Sequence, residues 1–186
     1  MKTTYTINIA GLKRELPLCK LNDSLYIAAF VIFGDMELTT HCAKALLELA
    51  PEYDYLITAE AKGIPLVCEM ARISGDKKYM LARKSQKLYM RNIHATTVHS
   101  ITTLNSQTLY LDGFDAELMC GKRILIVDDV VSTGESLSAV ERLVEEVGGI
   151  ICGKMAILSE GDAKNRGDII CLEHLPLFDT NGNPIE

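Results

Sequence analysis

No C-x-x-C pair occurs among the six cysteines, Cys19, Cys42, Cys68, Cys120, Cys152 and Cys171. Structural zinc sites are built from such close pairs, so a structural metal is not expected. Most of these cysteines lie inside apolar runs and read as small, reduced core residues. The N-terminal stretch MKTTYTINIAGLKRELPL lacks the apolar segment of a secretory leader. The longest apolar run, LYIAAFVIF at 25–33, has nine residues, far short of the roughly 20 that span a bilayer. A cytoplasmic protein with no membrane partner is therefore expected. Repeats, linkers and low-complexity segments are also missing. One further absence is local: from Lys77 to Leu111 there is no Asp or Glu.

What is present fits one domain with a sizeable core: 186 residues, 48% apolar and 24% charged. The net charge of −6 argues against a general nucleic-acid binder. Its distribution is uneven. The acid-free stretch carries six bases, Lys77, Lys78, Arg83, Lys84, Lys87 and Arg91. A basic island in an otherwise acidic chain suggests one specific polyanion, although a solvated basic loop would look the same.

The periodicity alternates between strand and helix. Residues 5–9 alternate as a short strand, and 25–33 is a buried strand or helix that periodicity does not separate. Residues 35–50 predict a helix, with Asp35 as N-cap, Leu38, Cys42, Ala45, Leu46 and Leu49 at helical spacing, and Pro51 after its end. A strand is expected at 53–58, a turn at 59–63, a helix at 64–74 with Pro65 in its first turn, and a strand at 78–83. Residues 84–107, rich in Thr, Ser, Asn and Lys, suggest a long loop with a loose hairpin around TTVHSITT. Strands follow at 108–111, 123–127, 150–158 and 168–173, with a helix at 134–149 stopped by Gly148 and Gly149. Such alternation predicts an α/β fold: a mostly parallel central sheet flanked by helices. Ligands on these sheets sit at the carboxyl ends of the strands.

One such end reads RILIVDDVVSTGES, residues 123–136. A Gly-containing turn entering a helix offers consecutive N–H groups to an anion, and the Ser and Thr hydroxyls add donors. An ordinary capped helix start, with Ser132 or Thr133 as cap, would use the same residues. Nothing matches G-x-x-x-x-G-K-[ST], which excludes a P-loop NTPase. Asp128 and Asp129 would repel a phosphate that they faced. They suit a hydroxyl-rich group a few ångströms away, such as a ribose 2′,3′-diol, and could hold a magnesium–water cluster. The ligand would then be a ribose 5-phosphate. A phosphoacceptor receiver domain fits poorly, because its acidic pair follows the first strand and not one with 57 residues left.

The stretch ILIVDDVVSTGES resembles the signature of type I phosphoribosyltransferases, which use phosphoribosyl pyrophosphate (PRPP). Two more segments are similar in order and spacing: AEAKGIPL at 59–66, like the family's pyrophosphate loop, and ARKSQKL at 82–88, like its basic strand end. The resemblance runs from about 53 to 158 and is nearest the adenine and xanthine enzymes and the purine repressor of the same fold. It implies PRPP contacts from the amides of Ala61, Lys62 and Gly63, from Arg83, Lys84 and Lys87, and from Val131, Ser132, Thr133, Gly134, Glu135 and Ser136. Asp128 and Asp129 would be the catalytic pair, with Mg2+ carried by PRPP. It also implies a mobile lid at about 84–107, a hood from about 1–34 and 159–186, and a homodimer with loop contacts across its interface.

The implied reaction joins a purine base to PRPP, giving a nucleoside monophosphate and pyrophosphate. Oxopurine enzymes of the family commonly carry a Lys where this chain has Glu160 and Gly161, which favours a 6-amino purine such as adenine. The lid, however, lacks the acidic residue often found in adenine enzymes. A xanthine/guanine-type enzyme and a PRPP-binding regulator without turnover are the alternatives.

Overall fold

In a computed structural model, residues 2–99 and 106–185 are described. Five strands form the main sheet: β4 (Tyr55–Ala59), β5 (Met80–Ala82), β8 (Arg123–Val131), β9 (Ile150–Glu160) and β10 (Ile170–Leu175). All pair in parallel, in the order β5-β4-β8-β9-β10. The chain starts the sheet at β4, adds β5 on one side and then crosses to β8 on the other. That reversal leaves a crevice at the carboxyl ends of β4 and β8, where ligands of open parallel sheets bind.

Alternating side chains of β8 join the two layers. Ile124 and Ile126 are buried with Leu137, Val140, Leu143 and Val144 of α4 (Glu135–Glu146). Leu125 and Val127 face the opposite cluster, with Leu46 of α1 (Met36–Leu49) and Leu66, Val67 and Met70 of α2 (Gly63–Ser74). Each such fully buried aliphatic side chain contributes about 1.5–3 kcal/mol. α1 starts where expected, the Asp35 side chain accepting the Leu38 N–H at 3.0 Å. α2 stops at Gly75, whose φ of 80° is the left-handed cap conformation that glycine adopts without strain.

A second sheet joins the two ends of the chain: β1 (Thr4–Ile9), β2 (Leu12–Lys20), β3 (Tyr26–Ala28), β11 (Leu177–Phe178) and β12 (Pro184–Ile185), in that order. β1 and β2 form a hairpin through Ala10 and Gly11, both at positive φ (49° and 82°). Pro17 lowers the strand signal of 12–20 in the sequence; here it is accommodated opposite Thr4. Of the apolar run 25–33, only Tyr26–Ala28 is strand. The alternation nevertheless persists beyond it, with Phe30 and Ile32 buried and Val31 and Phe33 exposed.

Several boundaries differ from expectation. β10 extends the main sheet, and C-terminal strands enter the second sheet only at Leu177. β8 runs on through the acidic pair to Val131, because Val130 and Val131 keep pairing with Leu158 and Ser159 of β9. Gly113–Met119 forms a short helix, α3, with the Asp112 side chain accepting the Phe114 N–H. β6 (His94–His99) pairs antiparallel with β7 (Ser106–Leu111), and the connection at 100–105 lies outside the described residues. Tyr110 and Arg83 exchange two backbone hydrogen bonds of 2.8 Å, tying β7 to the end of β5.

Candidate active site

The carboxyl end of β8 leads into the segment 132–134 and then α4. Gly134 is the N-cap, at φ 81°, and no side chain caps the helix. Thr133 Oγ1 accepts the Glu135 N–H only at a long 3.4 Å. The N-terminus of α4 thus opens on this loop, a place where an oxyanion is favoured. Beside them lies a cavity of about 120 Å³, lined by Asp128, Val130, Val131, the stretch from Ser132 to Ser136, and Leu137. A Cβ on Gly134 would stand 2.5 Å from Arg166 Nη1, so only glycine lets this arginine lie against the loop.

The acidic pair has two distinct environments. Asp129 is 5% exposed, and its Oδ2 sits 2.7 Å from Lys62 Nζ. That contact is an ion pair without hydrogen-bond alignment, so the oxygen retains an open acceptor direction. Asp128 Oδ1 accepts the Asp129 N–H at 2.9 Å. Burial first, and the Asp129 charge second, push the Asp128 carboxyl up to about 7. The pair thus holds fewer than two full negative charges near neutrality, which lowers its repulsion toward a phosphorylated ligand.

Ala61, Lys62 and Gly63 meet this pair from β4. The Glu60–Ala61 peptide is cis. α2 starts at Gly63 with Lys62 as N-cap and no side-chain cap, so a second helix N-terminus opens at the crevice. Gly63 is required by contact: a Cβ there would lie 2.0 Å from Thr58 Oγ1 and 3.3 Å from Asp128 Oδ1. The Glu60 carboxylate forms an ion pair with Arg83 Nη2 at 3.0 Å and accepts the Lys84 N–H at 2.9 Å.

Most of the expected site residues therefore converge. Asp128, Val131, Ser132, Thr133, Gly134, Glu135 and Ser136 line one cavity; Lys62 pairs with Asp129, and Gly63 leaves no room for a side chain beside Thr58; Arg83 and Lys84 contact Glu60. Lys87 is not brought to the acids: its Nζ donates to Ser85 Oγ at 2.6 Å, within its own segment. Thr58, Glu60 and Arg166 were not anticipated. Glu60 lies inside the quoted AEAKG, but only the pairing of β4 with β5 reveals its partners.

Three comparisons bear on this geometry. A family model described as "Phosphoribosyl transferase domain" matches residues 36–171. A hypoxanthine/guanine phosphoribosyltransferase of Methanococcus voltae is 35% identical over 113 residues, 61% of this chain and 56% of that protein; the match thus spans little more than half the relative's length. Among solved structures, adenine phosphoribosyltransferase from Rhodothermus marinus superposes with a TM-score of 0.65 at 22% identity, covering 93% of this chain and 94% of that one. The Saccharomyces cerevisiae adenine phosphoribosyltransferase, complexed with an imino-altritol bisphosphate and adenine, gives 0.64 at 19% identity, covering 92% of each chain. At such identities the structural likeness concerns the fold. With a matched segment that contains β4, β8, α4 and both acids, this chain belongs to the phosphoribosyl transferase domain family.

Proposed function

We propose that the chain is a purine phosphoribosyltransferase, transferring the 5-phosphoribosyl group of PRPP to a purine base and releasing pyrophosphate. The observation that carries this reading is the loop from Ser132 to Ser136 at the start of α4, which lines one cavity with Asp128. The 5-phosphate fits the loop amides, and the ribose diol fits the Asp128–Asp129 carboxylates. The pyrophosphate then extends toward Lys62, the α2 N-terminus and Arg83. Lys87 joins this set only by leaving Ser85, so its role as a PRPP contact belongs to the liganded state. Bond breaking at C1 leaves an oxocarbenium-like ribosyl group, which the carboxylates stabilise while the base nitrogen attacks the opposite face. No covalent protein intermediate is needed.

Magnesium fits this site by donor chemistry. The open acceptor direction on buried Asp129 Oδ2, together with Asp128, offers the hard oxygens that Mg2+ prefers, directly or through water. Among the described residues no group of three or more His, Cys, Asp or Glu side chains gathers around a metal position, so phosphate oxygens would complete the shell. When bound, the cation supplies charge neutralisation to the leaving pyrophosphate.

Adenine is the favoured base. Glu160 stands at the carboxyl end of β9, and its carboxylate can accept from an exocyclic amine. A hypoxanthine or guanine enzyme is the second reading, supported by the naming of the Methanococcus relative. A homodimer is supported by Leu88, fully exposed, and Tyr89, 66% exposed, in the basic segment. A cytoplasmic location is supported by six free thiols. Incubation with Mg-PRPP and adenine, hypoxanthine, guanine and xanthine tests the activity. Pyrophosphate release with one base names the substrate; PRPP binding with no release from any base leaves a sensor and overturns the enzyme reading.

A further inference from the structure

Glu60 is an acid placed where the proposed ligand needs positive charge. Its carboxylate lies between the loop after β4 and the basic segment after β5. One oxygen pairs ionically with Arg83 Nη2 at 3.0 Å, and the other accepts the backbone N–H of Lys84 at 2.9 Å. The Glu60 N–H itself donates to Ala82 O at 2.9 Å, continuing the parallel pairing past the strand ends. The side chain is 21% exposed and that of Arg83 26% exposed, so the contact is partly shielded from water. The Arg83 guanidinium is further fixed by Tyr89, whose ring centroid lies 5.9 Å away. Arg83 Nε is buried without a hydrogen-bond partner, so Glu60 holds the guanidinium without saturating it.

We propose that Glu60 is a positioning residue for pyrophosphate recognition: its two-handed carboxylate sets the Arg83 guanidinium and the Lys84 backbone before the substrate arrives. This rests on the phosphoribosyltransferase reading above. A carboxylate beside an anion site would ordinarily weaken binding by repulsion. Here one oxygen accepts the Lys84 N–H and the other pairs with the Arg83 charge, so the arginine is held before the substrate arrives. Positioning and masking therefore make opposite predictions. If Glu60 positions Arg83, removing it weakens pyrophosphate binding. If it merely neutralises Arg83, removing it strengthens that binding.

The test measures pyrophosphate and ribose 5-phosphate affinities separately by calorimetry, with Mg2+, for the full chain and for Glu60→Gln and Glu60→Asp. Glutamine keeps an acceptor for the Lys84 N–H but loses the charge that pairs with Arg83. Aspartate keeps the charge but is too short to reach both. Both variants are expected to lose about tenfold or more in pyrophosphate affinity, the size of one charge-assisted hydrogen bond. Ribose 5-phosphate affinity is expected to stay within about twofold, which also certifies the fold. In turnover, KM for PRPP rises while KM for the base does not. Tighter or unchanged pyrophosphate binding in Glu60→Gln overturns the proposal, as does a wild-type response from Glu60→Asp or an equal loss for both ligands. Wild-type protein that binds neither ligand refutes the phosphoribosyltransferase reading itself.

Discussion

Asp128→Asn should make the protein more stable at alkaline pH while removing its function. The folded carboxyl is raised from 3.8 to about 7. A raised acid penalises the folded state only where the unfolded chain has already ionised. The penalty is thus absent below pH 4, grows as pH rises from 4 to 7, and is complete above 7. At 1.36 kcal/mol per unit, three units set a ceiling of about 4 kcal/mol. Local relaxation and water reaching the half-buried side chain reduce this, and about 1–2 kcal/mol is the expected gain for a neutral isostere. Asparagine also keeps the acceptor for the Asp129 N–H. For a chain of this length the gain corresponds to roughly 2–8 °C in Tm. Thermal melts at pH 4, 5.5, 7 and 8.5 would show the two proteins coinciding at the acid end and separating through neutrality, while PRPP-dependent pyrophosphate release falls at every pH. A pH-independent difference, or a variant less stable at pH 8.5, refutes the account of the buried pair.

The remaining expectations concern contacts around that pair. Gly63→Ala puts a Cβ 2.0 Å from buried Thr58 Oγ1 and should cost about 2–3 kcal/mol; adding Thr58→Ala should restore part of the lost Tm, which no effect on helix propensity alone would do. Lys62→Met leaves the Asp129 carboxylate unpaired. Because Lys62 is 44% exposed, the expected loss is only about 1 kcal/mol. A double-mutant cycle with Asp129→Asn should recover a coupling of that size, and pyrophosphate affinity should drop in Lys62→Met alone. Gly134→Ala, forced to φ 81° against Arg166, should abolish ribose 5-phosphate binding in calorimetry while the far-ultraviolet circular dichroism at 20 °C stays that of the parent.

The stretches most legible in the sequence were those whose chemistry is local. Asp35 caps α1 through its own side chain three residues ahead. The run Ile124–Val127 alternates between two apolar layers because a strand places successive side chains on opposite faces. The loop from Ser132 to Ser136 was readable because an anion cradle is made by consecutive backbone groups. Legibility failed where stability came from a distant strand. β2 holds Pro17 because β1 and β3 pair with it on either side. β8 continues through two acids because β9 supplies its hydrogen bonds.

Sequence alone determined the parallel α/β class, the acidic pair, the glycine loop and the basic island, since each rests on residue type and short spacing. Only the tertiary structure decided that Lys62 faces Asp129, that burial pushes the Asp128 carboxyl up, and that Glu60 pairs with Arg83 from 23 residues away. Those are effects of charge separation and desolvation, and neither exists until parallel strands bring the ends of β4, β5 and β8 together.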